Sequence, residues 1–143
     1  MPRLAINSFL VVSAIALLVG CNGRESVTYW QSERYVLLAV YTKGQMSLSF
    51  EIGEGTTMQL VNATVFSIGA SDKYIVVQQH PSTDDFGHFN RSVTNYYIVE
   101  RSESPIFAER EKGVRGPLTQ LEFQKLASSL ALPAFTITFD DLR

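Results

Sequence analysis

The sequence predicts an α+β fold, in which a mainly antiparallel sheet of about five to six strands carries one C-terminal helix packed on one face. Two observations lead to this prediction. Short runs of alternating apolar and polar residues, separated by glycine- or proline-containing turns, recur along the chain. Near the C-terminus, a capping-box sequence precedes an apolar stripe with helical spacing.

Six segments have the pattern of strands. Residues 35–41 are apolar on both faces, which is typical of a central buried strand, and residues 46–52 alternate cleanly after a glycine turn. Together they predict a hairpin. Residues 57–68 also have strand character, but Asn62 and Thr64 share the phase of the apolar side chains, so we expect a bulge or break there. The remaining predicted strands cover residues 74–80, 94–100 and 135–139.

The helix is predicted over residues 120–130. Thr119 stands at the N-cap position with Glu122 three residues later, and Leu118 and Phe123 occupy the positions of a hydrophobic staple. The stripe expected to face the sheet consists of Phe123, Leu126, Ala127 and Leu130. Residues 101–115 are mixed in charge, and we interpret them as a solvated connection.

The N-terminal segment has the pattern of a secretion signal. Arg3 precedes an apolar run over residues 4–19, which is shorter than the roughly 20 residues that span a bilayer core. The run ends in Leu18-Val19-Gly20-Cys21, which places a small residue before the only cysteine of the chain. This pattern favours a cleaved signal over a membrane-spanning helix.

Cys21 is the residue on which the chemistry of this segment depends. A cysteine thiolate can be alkylated by a diacylglycerol group, and the amine freed by cleavage after Gly20 can carry a further acyl chain such as palmitate. In this respect Leu18-Val19-Gly20-Cys21 resembles bacterial lipoprotein signals. The resemblance implies an envelope lipoprotein held to a membrane by covalent lipid at Cys21, with no other cofactor. The alternative is a non-lipidated signal or an uncleaved anchor with an incidental cysteine.

These features predict three parts of the chain. Residues 1–20 form the signal peptide, residues 21–33 comprise the lipidated cysteine and a short tether, and residues 34–143 form a single α+β domain. Lipoproteins of enteric bacteria that carry an aspartate after the cysteine tend to stay in the inner membrane, so Asn22 favours the outer membrane, facing the periplasm, by resemblance. The formal net charge of −2, with both signs interspersed, provides no basic stripe, and nucleic acid is not an expected partner.

The densest group of potential metal ligands lies in and beside the polar segment 81–93. Imidazole and carboxylate groups together can bind zinc or another divalent ion. The predicted ligands are His80, Asp84, Asp85 and His88, although their spacing matches no established metal motif. The alternative is a solvated polar loop beside a strand-end histidine.

A second candidate site is a polar patch on the predicted hairpin of residues 74–100. Its proposed contact residues for a partner are Gln78, Asn95 and Tyr96, because amide and phenol groups bury area while keeping a hydrogen-bonding tip. Consecutive strand residues point to opposite faces, so at least one of Tyr96 and Tyr97 is expected in the core instead.

The segments 74–81, 94–99 and 116–123 resemble a pattern found in small bacterial lipoproteins and secreted proteins of an uncharacterised family. The resemblance covers roughly the C-terminal half and implies a compact sheet with a C-terminal helix, but no activity. Since no catalytic signature is present, the sequence favours a noncatalytic, membrane-tethered module that binds an envelope protein. The alternative is a small metal-dependent hydrolase that uses His80, Asp84, Asp85 and His88.

Overall fold

A computed structural model describes residues 25–102, 104 and 107–143. The predicted signal peptide and the lipidation site at Cys21 lie outside this range. Within the described part of the chain, no helix is long and apolar enough to cross a membrane.

The first half of the domain is a four-stranded antiparallel meander. Its strands are β1 (Ser26–Ser32), β2 (Tyr35–Val40), β3 (Ser47–Gly53) and β4 (Thr56–Val61), in that spatial order. Ser26 pairs with Val40, and Ser32 pairs with Tyr35. This sheet therefore has a Ser26 end, where β2 turns into β3, and a Gly55 end, which carries the tight β1–β2 and β3–β4 turns.

The second half is a five-stranded antiparallel sheet of β5 (Val65–Ala70), β6 (Tyr74–Gln79), β7 (Asn95–Glu100), β8 (Val114–Leu118) and β9 (Ile137–Thr138). Its spatial order is β8-β7-β6-β5-β9. Two helices accompany it, α1 (Phe107–Lys112) and α2 (Gln120–Leu130).

The predicted fold class is therefore wrong, because the chain forms two sheets rather than one. The division falls at residues 62–64, where the sequence predicted only a bulge within one long strand. The backbone carbonyls of Asn62 and Ala63, which lie beyond the last strand of the first sheet, accept hydrogen bonds from a side chain. Gln79 Nε2 donates to them at 3.2 and 3.1 Å. Thr64 then exchanges two backbone hydrogen bonds with His80, at 2.9 and 3.0 Å, and joins the second sheet.

Three other elements lie where the sequence indicated none. Strand β1 occupies residues that were assigned to the tether, so the folded part begins earlier than residue 34. Helix α1 and strand β8 lie within the segment interpreted as a solvated connection.

The main core lies between the two sheets, and both contribute fully buried side chains to it. The first sheet supplies Leu37, Leu48 and Phe50, and the second supplies Ile68, Ile75 and Val77, among others. Burial of these apolar side chains away from water is the dominant stabilising contribution to such a fold.

Helix α2 begins and ends where it was predicted, but its packing differs from the prediction. Thr119 Oγ1 accepts the N–H of Glu122 at 3.3 Å, and Glu122 Oε2 accepts the N–H of Thr119 at 2.7 Å, so the capping box is confirmed. Of the predicted stripe only Phe123 is buried, while the other three side chains are half-buried. The helix covers the outer face of the second sheet only, against a small cluster that includes Tyr74, Val76 and Tyr96.

Candidate functional site

A cleft of about 420 Å³ opens on the second sheet and is the candidate site. We call it the β5–β7 cleft. It is lined by Phe66, Ser67, Gln78, His80, Arg91, Thr94, Tyr96, Phe135, Thr138 and Arg143. Four separate segments of the chain thus contribute to it.

A row of four polar side chains crosses this sheet and contributes to the cleft. Thr138 of β9 pairs with Ser67 of β5, Ser67 pairs with Gln78 of β6, and Gln78 pairs with Tyr96 of β7. The hydroxyls of Ser67 and Thr138 lie 2.9 Å apart, and Gln78 Nε2 donates to Tyr96 Oη at 3.2 Å. We refer to these four residues as the polar row. Ser67 Oγ also donates to the Ile137 carbonyl at 3.1 Å, so the groups that remain for a ligand are the side-chain oxygen of Gln78 and the hydroxyl proton of Tyr96.

The predicted partner patch is assembled only in part. Gln78 and Tyr96 are brought together in the cleft, and Tyr96 also packs against Phe123 of α2, with ring centroids 4.9 Å apart. Asn95 is not with them, because its Nδ2 donates to Gln79 Oε1 at 2.9 Å. Gln79 directly follows Gln78 on β6, and Asn95 directly precedes Tyr96 on β7. Because consecutive strand residues point to opposite faces of a sheet, Gln79 and Asn95 point away from the cleft.

His80 lines the cleft with a ring that is only 3% exposed. The ring stacks on Phe66 with a centroid distance of 4.2 Å and lies parallel to the ring of Phe89 at 5.9 Å. Nδ1 lies 2.7 Å from the carbonyl oxygen of Val93, whereas Nε2 has no hydrogen-bond partner among the described residues. In a neutral imidazole whose Nδ1–H donates to Val93, Nε2 is an unpaired acceptor enclosed beside the cleft.

Arg91 forms part of the cleft wall and ties the loop 81–93 to the C-terminal segment. Its guanidinium donates to the backbone oxygens of Asp141, at 2.9 Å, and Arg143, and it lies 4.9 Å from the ring centroid of Phe89. Two arginines and no acidic residue line the cleft within the described structure. The two guanidinium groups add positive charge to the cleft, and that of Arg91 is already bonded to the backbone oxygens of Asp141 and Arg143.

The four predicted metal ligands are not brought together. His88 Nδ1 lies 2.6 Å from Asp84 Oδ2, and Asp84 Oδ1 accepts the backbone N–H groups of Phe86 and His88 at 2.8 and 3.2 Å. The hydrogen bond from His88 is the main reason why the pKa of Asp84 lies below its ordinary value. No group of three or more His, Cys, Asp or Glu side chains within the described ranges is arranged to hold a metal ion. The Asp84–His88 pair instead stabilises the loop itself.

The other two predicted ligands lie apart from this pair. His80 is buried beneath Phe66 and Phe89, and Asp85 is exposed, with its backbone carbonyl accepting a hydrogen bond from Gln45 Nε2 at 2.7 Å. Sequence reasoning singled out the loop 81–93 but not Arg91 within it. Ser67 and Thr138 were missed because they belong to the cleft only through strand pairing.

The comparison with protein families gives a match to a family described as "Protein of unknown function (DUF3997)", over residues 27–143. The expected likeness to an uncharacterised family is confirmed, and it extends well beyond the C-terminal half. No curated protein and no solved structure matches the chain. The match covers both sheets and every residue of the cleft, and the chain therefore belongs to this family of proteins of unknown function.

Proposed function

We propose that this protein is a lipid-anchored protein of the bacterial envelope, whose domain binds a partner protein without catalysis through the β5–β7 cleft. The observation that supports the binding role is the polar row, which lines a cleft together with two arginine residues. The lipid anchor rests on the resemblance of Leu18-Val19-Gly20-Cys21 to lipoprotein signals.

The chemistry of the cleft fits a protein segment that carries a carboxylate. The guanidinium group of Arg143 matches the planar geometry of a carboxylate, and the charge of Arg91, whose terminal nitrogens already donate to backbone oxygens, lies beside it. Gln78 and Tyr96 offer both donors and acceptors to a peptide backbone. The rings of Phe66 and Phe135 supply apolar contact area at the same site.

The lipid anchor and the short chain segment after it would keep a bound partner close to a membrane. Three residues lie between Cys21 and Glu25, the first described residue, and these four steps of the chain span at most about 14 Å. A partner bound in the cleft would therefore also lie in the envelope.

The anchor is tested by the mass and location of the mature protein. We expect the wild-type chain to start at Cys21, with added diacylglycerol and acyl mass, and to fractionate with membranes. Cys21→Ser should abolish both properties. A Cys21→Ser chain that is still processed and membrane-bound would show that the lipid is not the anchor.

The cleft is tested by site-specific photocrosslinking in intact cells. A photoreactive residue at Thr94 lies in the cleft, and one at Thr57, exposed on β4 of the other sheet, is the control. We expect a discrete cross-linked product at position 94 that is absent at position 57 and weakened by Gln78→Ala or Arg143→Gln. Identical products at both positions, or none at position 94, would rule out the cleft as the binding site.

A further inference from the structure

Two of the most exposed aromatic side chains of the domain lie on neighbouring turns. Tyr41 follows β2 and is 68% exposed, and Phe86 lies in the loop 81–93 and is 76% exposed. The hydroxyl of Thr42 donates to the carbonyl of Phe86 at 3.4 Å. Gly44 packs directly on Gly87, since a Cβ atom at Gly44 would fall 2.0 Å from the Gly87 carbonyl oxygen. We call these two neighbouring turns, which carry Tyr41 and Phe86, the aromatic edge.

Both rings are presented by constrained backbone. Tyr41 has a φ of 67° at the centre of a three-residue turn that is closed by a hydrogen bond from Thr42 N–H to Val40 O at 2.9 Å. Phe86 is fixed by the hydrogen bond from its N–H to the Asp84 carboxylate. Such ordering lowers the entropic cost of placing these rings against another surface.

The aromatic edge lies where the N-terminal tether enters the fold. Ser26 pairs with Val40, so the chain reaches the first sheet next to the turn that contains Tyr41. Cys21 lies within about 14 Å of Glu25 along the chain. A lipid on Cys21 would therefore hold the Ser26 end of the first sheet, and the aromatic edge with it, against the bilayer surface.

The charges near this edge indicate what kind of contact it makes. Lys43 Nζ is engaged with Asp141 at 2.7 Å, and Asp84 and Asp85 add negative charge to the loop. An anionic lipid surface would thus gain little by Coulomb attraction here. Tyrosine and tryptophan side chains, by contrast, are enriched at the level of the lipid headgroups, and phenylalanine contributes apolar area to surfaces that lie in the membrane interface.

We propose that Tyr41 and Phe86 rest in the headgroup region of the membrane and orient the anchored domain on it. This inference rests on the proposed lipid anchor and adds an orientation to it. The Ser26 end faces the bilayer, and the Gly55 end points away from it by about one strand length, roughly 20 Å. The loop 81–93, which also supplies Arg91 to the β5–β7 cleft, lies at the membrane surface.

Depth-dependent fluorescence quenching tests this orientation on the full lipidated chain. Because the lipid consumes the only native thiol, a single introduced cysteine can be labelled uniquely. Asp85→Cys places the label beside Phe86, and Glu54→Cys places it in the turn at the Gly55 end. The two variants are matched, since each removes one exposed carboxylate.

The labelled proteins are reconstituted in phosphatidylethanolamine–phosphatidylglycerol vesicles that contain brominated lipids. We expect at least twofold stronger quenching at position 85 than at position 54, little change with added salt, and a loss of the difference in Phe86→Ser. Equal quenching at both positions in protein that sediments with the vesicles would overturn the orientation and leave the anchor intact. Wild-type protein that fails to sediment would overturn the anchor and the orientation together.

Discussion

Asp84 and His88 fix the conformation of the loop 81–93. The Asp84 carboxylate lies 2.6 Å from Nδ1 of the His88 ring and accepts hydrogen bonds from two backbone N–H groups of the loop. The loop ends are also tied together, as Ser82 forms an isolated bridge with Phe89. The residues that the sequence suggested as metal ligands thus include a pair with a structural role.

The first prediction concerns acid stability. The hydrogen bond from His88 lowers the pKa of Asp84 in the folded chain below the ordinary value of 3.8. The unfolded chain therefore binds the proton more tightly, and the contribution of Asp84 is fully present above pH 3.8 and disappears as the pH falls through the folded-state pKa. Urea unfolding should show that Asp84→Asn destabilises the protein at pH 6 and that this difference shrinks towards pH 3. Asp85→Asn, whose carboxylate makes no such contacts, is the control, and an unchanging difference for Asp84→Asn would contradict the assignment.

The second prediction concerns the contact between the turn after β2 and the loop. A methyl group at Gly44 would collide with the backbone of Gly87, so Gly44→Ala should destabilise the protein by about 1–3 kcal/mol, as overpacking commonly does. Gly53→Ala is the matched control, because nothing lies within 4 Å of the added methyl group there. Thermal unfolding of both variants measures the difference, and equal midpoints would argue against the contact.

The third prediction concerns the packing of α2. Phe123 is buried against the rings of Tyr96 and Phe135, whereas Leu121 on the same helix is 62% exposed. Phe123→Ala should cost about 3–5 kcal/mol of unfolding free energy, while Leu121→Ala should cost less than about 0.5 kcal/mol. Chemical denaturation measures both values. Similar losses for the two variants would mean that the helix packs through a different face.

The fourth prediction concerns the start of the same helix. Thr119→Ala removes the side chain that accepts the Glu122 N–H, and we expect the free energy of unfolding to fall by about 1 kcal/mol. The hydrogen bond from the Thr119 backbone is also the main cause of the lowered pKa of Glu122, so carbon-detected NMR titration should find that pKa shifted upwards in a Thr119→Pro variant. Ser128→Ala, on the exposed face of the helix, should leave both properties unchanged.

The elements that could be predicted from the sequence are those whose signals are local. The α2 boundaries follow from Thr119, Glu122 and the apolar stripe, and the β2–β3 hairpin follows from its glycine turn and its alternation. The division into two sheets could not be predicted, because a polar break at Asn62 and Thr64 is compatible with either a bulge or a crossing between sheets. The crossing is stabilised by groups that are distant in sequence, namely the side chain of Gln79 and the backbone of His80.

The candidate site shows the same limit. Gln78 and Tyr96 could be singled out by their chemistry, but their neighbours Ser67 and Thr138 come from segments that meet only in the folded sheet. The sequence also placed Asn95 with them, because residue type alone does not settle which side chains share a face when the phase of a strand is uncertain.

The polar row and the main core lie on opposite faces of the second sheet. Each of its members alternates with residues that face the main core, such as Ile68 beside Ser67 and Val77 beside Gln78. Exchanges along the row therefore alter the cleft without altering the contacts between the two sheets. A substitution at Ser67 or Thr138 can consequently change the hydrogen-bonding groups of the cleft while the two-sheet core is retained.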